Sequence, residues 1–185
     1  CVFPRECTET FLEGHRRAFE FFGGVPKRIS YDNSRIAVKR VLGARQRELT
    51  REFLRLQSHY LFKHHFCLVR RANEKGHVET LLGFARRNFL VPVPRTDSLN
   101  DLNARLEADC RQDRERTLRG KAGTKTQLLD EERAQFLSLP AESFEARCVR
   151  TAKSNSLSLV RFDRNDYSVP TAYAHHDLTV VGGIE

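Results

Sequence analysis

Asp32 and Glu79 are the residues of this 185-residue chain whose type and position point most directly to chemistry. Asp32 closes a short strand-like run, Arg28-Ile29-Ser30-Tyr31. Glu79 falls in the first turn of an apolar-periodic helix, with 46 residues between the two acids. In an α/β layer, the loops beyond the carboxyl ends of strands gather ligands, so a carboxylate at a strand end and one on a neighbouring helix can converge. Hard divalent cations such as Mg²⁺ take oxygen ligands and bind phosphate-bearing substrates. Two such ions about 4 Å apart can clamp the attacking and leaving oxygens of an in-line phosphoryl displacement. Each acid also has a plainer reading: Asp at a strand end forms turns, and Glu in a first helical turn complements the macrodipole.

The surroundings bear on the choice. From Lys27 to Arg51 there are eight basic residues, Arg35 and Lys39 among them, and two acidic ones. The polar stretch Val69 to Gly76 adds Arg70, Arg71 and Lys75, and the helix after it adds Arg86 and Arg87. Carboxylates in a basic field suit a site that grips phosphates and holds metal; the plainer reading is a solvated charged face. Over the whole chain, 32 Lys and Arg against 24 Asp and Glu give a net charge of +8. That excess favours a polyanionic partner, most simply nucleic acid.

Other groupings carry less. His64, His65, Cys67 and His77 match no common zinc spacing, and His64 and His65 fall on opposite faces of a strand. His175-His176 reads as a surface turn. Arg119-Gly120-Lys121-Ala122-Gly123-Thr124-Lys125 fails the spacing of a phosphate-binding loop and reads as a flexible basic joint whose tip can touch DNA. The five cysteines are scattered and lack a CxxC, so the expectation is a reducing cytoplasm rather than a disulfide framework. No run of about 18 apolar residues predicts a membrane span, and the opening residues do not resemble a secretory signal. A first residue of Cys and the absence of Met suggest a fragment of a longer protein.

The elements that must position these groups follow from periodicity. Thr8 to Phe22 predicts a helix with Phe11, His15, Ala18, Phe19 and Phe22 on one face, stopped by Gly23-Gly24. A helix is expected over Arg45–His59, a strand over Tyr60–Phe66 and a helix over Val78–Leu90, closed by Pro92 and Pro94. The alternation indicates an α/β layer and needs more strands than the two identified. Ser98 can cap a helix running to about Leu118, and a short helix is expected over Asp130–Leu137. From Cys148 onward three short strands, one of them Leu157–Val160, suggest a small β-barrel-like unit. The organisation is thus an α/β region over 1–94, a helical connector over 95–145 and a small β-domain over 146–185.

Several motifs together resemble a known family. They are Phe19-Glu20-Phe21-Phe22-Gly23-Gly24-Val25-Pro26, Tyr31-Asp32-Asn33, Ala37-Val38, Ser58-His59-Tyr60, Asn73-Glu74-Lys75-Gly76-His77-Val78-Glu79 and Tyr167-Ser168-Val169-Pro170. They resemble the large transposases of the IstA type, members of the DDE superfamily, whose core is ribonuclease H-like and shared with retroviral integrases. The resemblance implies an α/β, partial ribonuclease H-like (integrase core) fold over the first region. It also implies that Asp32 and Glu79 are the second and third catalytic acids and ligands of two Mg²⁺ or Mn²⁺ ions, with the first catalytic Asp upstream of the helix at Thr8. Asn33 would steady Asp32 by a hydrogen bond, and Lys75 would meet a phosphate beside the scissile bond. Arg70, Arg71, Arg35, Lys39 and Arg86 would add DNA contacts. The implied activity is metal-dependent DNA cleavage and strand transfer during transposition. The implied partners are transposon ends, target DNA, further copies in a synaptic complex and an AAA+ helper ATPase, in a bacterial cytoplasm at the nucleoid. The alternatives are a non-catalytic basic DNA-binding module or a decayed transposase remnant.

Overall fold

The computed structural model describes residues 1–43, 46–68 and 76–184. They form a mixed α/β structure in two compact units, Cys1–Phe144 and Glu145–Glu185. Among the described residues, no helix is long and apolar enough to cross a membrane.

In the first unit, α1 spans Thr8–Phe22. It stops where Gly23 turns left-handed (φ 72°) and donates to Glu20 O, while Gly24 donates to Phe19 O. A glycine at this position adopts positive φ without a Cβ penalty. The chain then pairs Val25 with Leu137 through two backbone hydrogen bonds of 2.9 and 2.8 Å. Next come β1 (Arg28–Tyr31), β2 (Val38–Val41), β3 (Arg47–Leu49), α2 (Arg51–Tyr60) and β4 (Lys63–Phe66). β1 and β4 are parallel, from Arg28 opposite Lys63 to Tyr31 opposite Phe66. β2 and β3 are antiparallel, with Val38 opposite Leu49.

The expected helix over Arg45–His59 is therefore divided. Arg47–Leu49 is strand, and the helix begins at Arg51 because Thr50 caps it: the Thr50 hydroxyl accepts from Phe53 N–H and donates to Ile36 O at 2.6 Å. The expected strand over Tyr60–Phe66 is shortened at its start. Tyr60 ends α2, and Leu61 takes a left-handed cap (φ 60°). Gln57 then ties the helix end to β4, donating to Phe62 O and contacting His64 Nδ1 through Oε1.

The core lies between α1, α2 and the β1–β4 pair. Leu12, Val25, Phe53, Leu56 and Phe62 are essentially fully buried. Aromatic edges meet faces throughout: Tyr31 and Phe53 rings are 5.1 Å apart at 89°, and Phe19 and Tyr60 4.7 Å apart at 67°. Such tilted pairs satisfy the ring quadrupoles. Leu12, outside the expected apolar face of α1, is at its centre, whereas Phe22 is exposed.

The helices α3 (Gly76–Phe89), α4 (Leu99–Asp113) and α5 (Lys125–Arg133) complete this unit. Ser98 caps α4 as the sequence indicates, but α4 ends at Asp113 rather than near Leu118. The side-chain amide of Asn103 on α4 clasps the Val2 backbone, accepting at 2.6 Å and donating at 2.9 Å. α5 starts earlier than expected, because Thr124 and Gln127 form a reciprocal capping box.

The second unit has two antiparallel ladders. β5 (Cys148–Lys153) pairs with β8 (Asp177–Gly182), and β6 (Leu159–Phe162) pairs with β7 (Asn165–Ser168). β6 and β7 are joined by Asp163 and Arg164, both at positive φ, the conformation of a tight two-residue hairpin turn. Leu157 and Ser158 precede the strand, because Asn155 Oδ1 accepts from both Leu157 and Leu159 N–H and curls the chain there. The expected barrel is not closed; the described strands form these two separate ladders. Ser154, Ser158, Val160 and Cys148 are buried in this unit.

Candidate active site

Parallel pairing of β1 and β4 brings both carboxyl ends to one edge. Asp32 is the first residue beyond β1, and Cys67 the first beyond β4. Asp32 is exposed, and its Oδ1 accepts the Ser34 backbone N–H at 3.1 Å. This turn, in which the carboxylate caps its own backbone two residues on, orients the side chain at the strand exit.

Asn33 locks that edge. Its amide Nδ2 donates to Cys67 O at 3.0 Å, and its Oδ1 accepts Arg47 Nε at 2.6 Å. Arg47 also donates to Gly43 O at 2.7 Å and to Cys67 O at 3.4 Å. Asn33 thus acts on Asp32 through the backbone, by fixing the loop to the end of β4. Arg47 is the member that sequence reasoning did not single out. It was one of many cations in a basic run, and its role depends on the β2–β3 hairpin that brings it across.

Directly beneath, the Tyr31 hydroxyl lies 3.0 Å from His15 Nε2, and His15 Nδ1 lies 2.8 Å from Phe11 O. A carbonyl only accepts, so Nδ1 carries the proton and Nε2 accepts from the tyrosine. Burial pushes the His15 imidazole below its ordinary value and the Tyr31 phenol above its own. Both stay neutral near pH 7, as the low-polarity surroundings demand.

Glu79 lies in the first turn of α3 and is itself exposed. Further along α3, Phe84 lies under the Arg116 guanidinium at 4.7 Å and the Lys125 ammonium at 5.4 Å. Arg86 is exposed in the last turn. Arg35 is exposed in the loop after Asp32. Lys39 on β2 is paired with Glu48 on β3 at 2.5 Å, so a neighbouring acid already offsets part of its charge. Arg70, Arg71 and Lys75 lie outside the described residues. Among the described residues, no group of three or more His, Cys, Asp or Glu is placed to hold a metal ion. His64, instead of facing a ligand cluster, is engaged by Gln57, and burial lowers its pKa.

With this geometry in view, the similarities to known proteins are specific. Residues 139–184 match the family described as Mu transposase, C-terminal domain. Over 173 residues the chain is 35% identical to a transposase of Aminobacter aminovorans, covering 93% of this chain and 34% of that protein. It is 32% identical over 173 residues to a transposase for insertion sequences IS1326/IS1353 of Pseudomonas aeruginosa, with the same two coverages. It is 31% identical over 180 residues to the transposase for insertion sequence element IS21 of Pseudomonas aeruginosa, covering 96% of this chain and 45% of that protein. The chain thus spans between a third and a half of the length of these relatives.

Proposed function

The chain belongs to the family of IS21-type insertion-sequence transposases, and on that premise we propose that it is the part of a DNA transposase carrying two acids of a metal-dependent strand-cleavage and strand-transfer site. Asp32 and Glu79 are the acids. Both are exposed carboxylates, which suits the hard oxygen donors that Mg²⁺ or Mn²⁺ requires. When bound, such ions neutralise phosphate charge and activate the attacking oxygen. The ribonuclease H-like identity of the first unit and the fragment status of the chain are parts of the same proposal. So are the roles of transposon ends, target DNA, further copies and an AAA+ helper as partners.

The observation that carries this reading is the braced exit of the parallel pair. Asp32 is aimed by its turn with Ser34, and that loop is fastened to β4 through Asn33, Cys67 and Arg47. Strand-end loops of parallel sheets are where such folds gather ligands. The chain's own residues then perform three tasks. Asp32 and Glu79 offer carboxylate oxygens. Asn33 and Arg47 hold the Asp32 loop in position. Arg35 and Arg86, with Arg70, Arg71 and Lys75, contribute positive charge to attract and orient the phosphodiester.

The test is strand cleavage and transfer on a DNA end, using the chain joined to an upstream segment that supplies a first Asp. Asp32→Ala and Glu79→Ala are expected each to abolish turnover in Mg²⁺ and Mn²⁺. Undiminished activity in either variant overturns the assignment. A second reading, a basic DNA-binding module without catalysis, is motivated by the net charge of +8. It predicts salt-dependent DNA binding indifferent to Mn²⁺.

A further inference from the structure

Between α4 and α5 the chain runs Arg116-Thr117-Leu118-Arg119-Gly120-Lys121-Ala122-Gly123-Thr124-Lys125, with four cations and no acid. This segment is a built turn rather than a loose joint. Thr117 and Thr124 bridge its two limbs. Lys125 N–H donates to Arg116 O at 3.1 Å, and Thr126 N–H donates to Arg114 O at 2.9 Å. At the tip, Lys121 N–H donates to Leu118 O at 3.0 Å, with Gly120 at φ 76°. That is the arrangement of a type II turn, which requires positive φ at its third residue and so favours glycine there.

The charges are sorted along this turn. At its base, Asp113 binds both Arg116 (2.9 Å) and Lys125. The base cations are thereby neutralised in part and also lie over the Phe84 ring. At the tip, Arg119 and Lys121 are exposed, and neither side chain has a partner among the described residues. Between them Gly120 stands in open space, with no described heavy atom beyond its own chain neighbours within 4 Å of where a Cβ would lie. Two unpaired cations on either side of a bare backbone position, held on a pinned turn, form a projection that a phosphodiester backbone can approach closely. Exposed cations already paired, such as Arg111 with Glu107 and Arg133 with Asp130, lack this property.

We propose that the Arg119-Gly120-Lys121 turn is a DNA-backbone contact, separate from the Asp32 and Glu79 acids and indifferent to base sequence. It rests on the reading that the chain acts on DNA. Contacts of this kind add affinity and register but no sequence information. Each phosphate neutralised lowers the slope of log K against log salt by about 0.9.

The experiment is fluorescence anisotropy of the full chain on two duplexes of unrelated sequence, from 50 to 300 mM NaCl. Arg119→Ala/Lys121→Ala is expected to weaken binding to both duplexes equally and to reduce the salt slope by about 1.8. Arg119→Lys/Lys121→Arg is expected to retain the wild-type slope, since a point charge suffices for phosphate. Wild-type binding with an unchanged slope in the alanine variant overturns this proposal and leaves the reading of Asp32 and Glu79 untouched. A slope lost equally in the conservative variant also overturns it, because the effect would then not be one of charge. A wild-type chain with no salt-sensitive binding overturns both readings.

Discussion

The side-chain amide of Asn33 donates to the backbone carbonyl of Cys67 at 3.0 Å, joining the exits of two parallel strands that are 34 positions apart in sequence. The same amide's oxygen takes Arg47 at 2.6 Å, so one asparagine closes a three-residue bracket around the Asp32 loop. Asn33→Ala leaves the Cys67 carbonyl and the Arg47 guanidinium each short of a partner. Arg47 keeps Gly43 O and Cys67 O keeps Arg47, so the loss is that of the hydrogen bonds themselves, about 0.5–1.5 kcal/mol each, which urea unfolding followed by circular dichroism will read directly. In a double-mutant cycle, Asn33→Ala and Arg47→Ala are expected to couple by about 0.5–3 kcal/mol, as members of one network do. Strictly additive losses would show that the two residues act independently.

The His15–Tyr31 pair gives the first unit a pH signature. His15 is half-buried and desolvation lowers its pKa from 6.5, so the unfolded chain binds the proton more readily than the folded one. Stability contributed this way is complete above about pH 6.5 and is lost as pH falls below that value. Tyr31, raised from 10.0, acts at the other end: the folded state holds its proton longer, so stability declines as pH rises above about 10. The urea midpoint is expected to drop between pH 7.5 and 5.5. His64, lowered by burial as well, contributes to the same limb. His15→Gln in a His64→Gln background is expected to flatten it. A midpoint of wild-type steepness in that double variant would remove these two histidines as its cause.

Phe53 and Leu61 are both apolar residues of one helical segment, Leu61 being its C-cap, yet their surroundings are opposite. Phe53 is 1% exposed and meets Tyr31, Phe62, His64 and Phe66 edge-on or tilted; Leu61 is 74% exposed at the left-handed cap. Phe53→Ala is expected to cost about 3–5 kcal/mol, and Leu61→Ala no more than about 0.5 kcal/mol. Chemical denaturation of the two variants beside wild type checks the ranking, and equal losses would contradict the core placed here.

How far the sequence foretold this depends on where the signal lay. α1 and α4 were legible because their ends carry explicit chemistry, Gly23-Gly24 at one and Ser98 at the other. The β2–β3 hairpin was not, since Val38–Val41 buries one residue and its partner strand reads Arg-Glu-Leu, a pattern that helix and strand share. The start of α5 was marked by Thr124 and Gln127 at capping-box spacing, but the glycines before it drew the reading toward a linker. At the site, the position of Asp32 beyond a strand and of Glu79 in a first helical turn followed from local pattern. The Asn33–Arg47 bond did not, because it crosses a hairpin that periodicity did not reveal.

The two acids themselves make a prediction that does not require turnover. A carboxylate facing a phosphodiester without a cation between them repels it, by about 1 kcal/mol at 4 Å in water. With metal removed by EDTA, Asp32→Asn and Glu79→Gln are therefore expected to bind duplex DNA up to about five-fold more tightly than wild type. Adding Mn²⁺ is expected to reverse the order, since wild type then gains a bridge between carboxylate and phosphate that the amides form poorly. Anisotropy titrations of the three proteins, with and without Mn²⁺, decide the matter. If the variants track wild type under both conditions, neither acid faces DNA, and the basic surface alone accounts for binding.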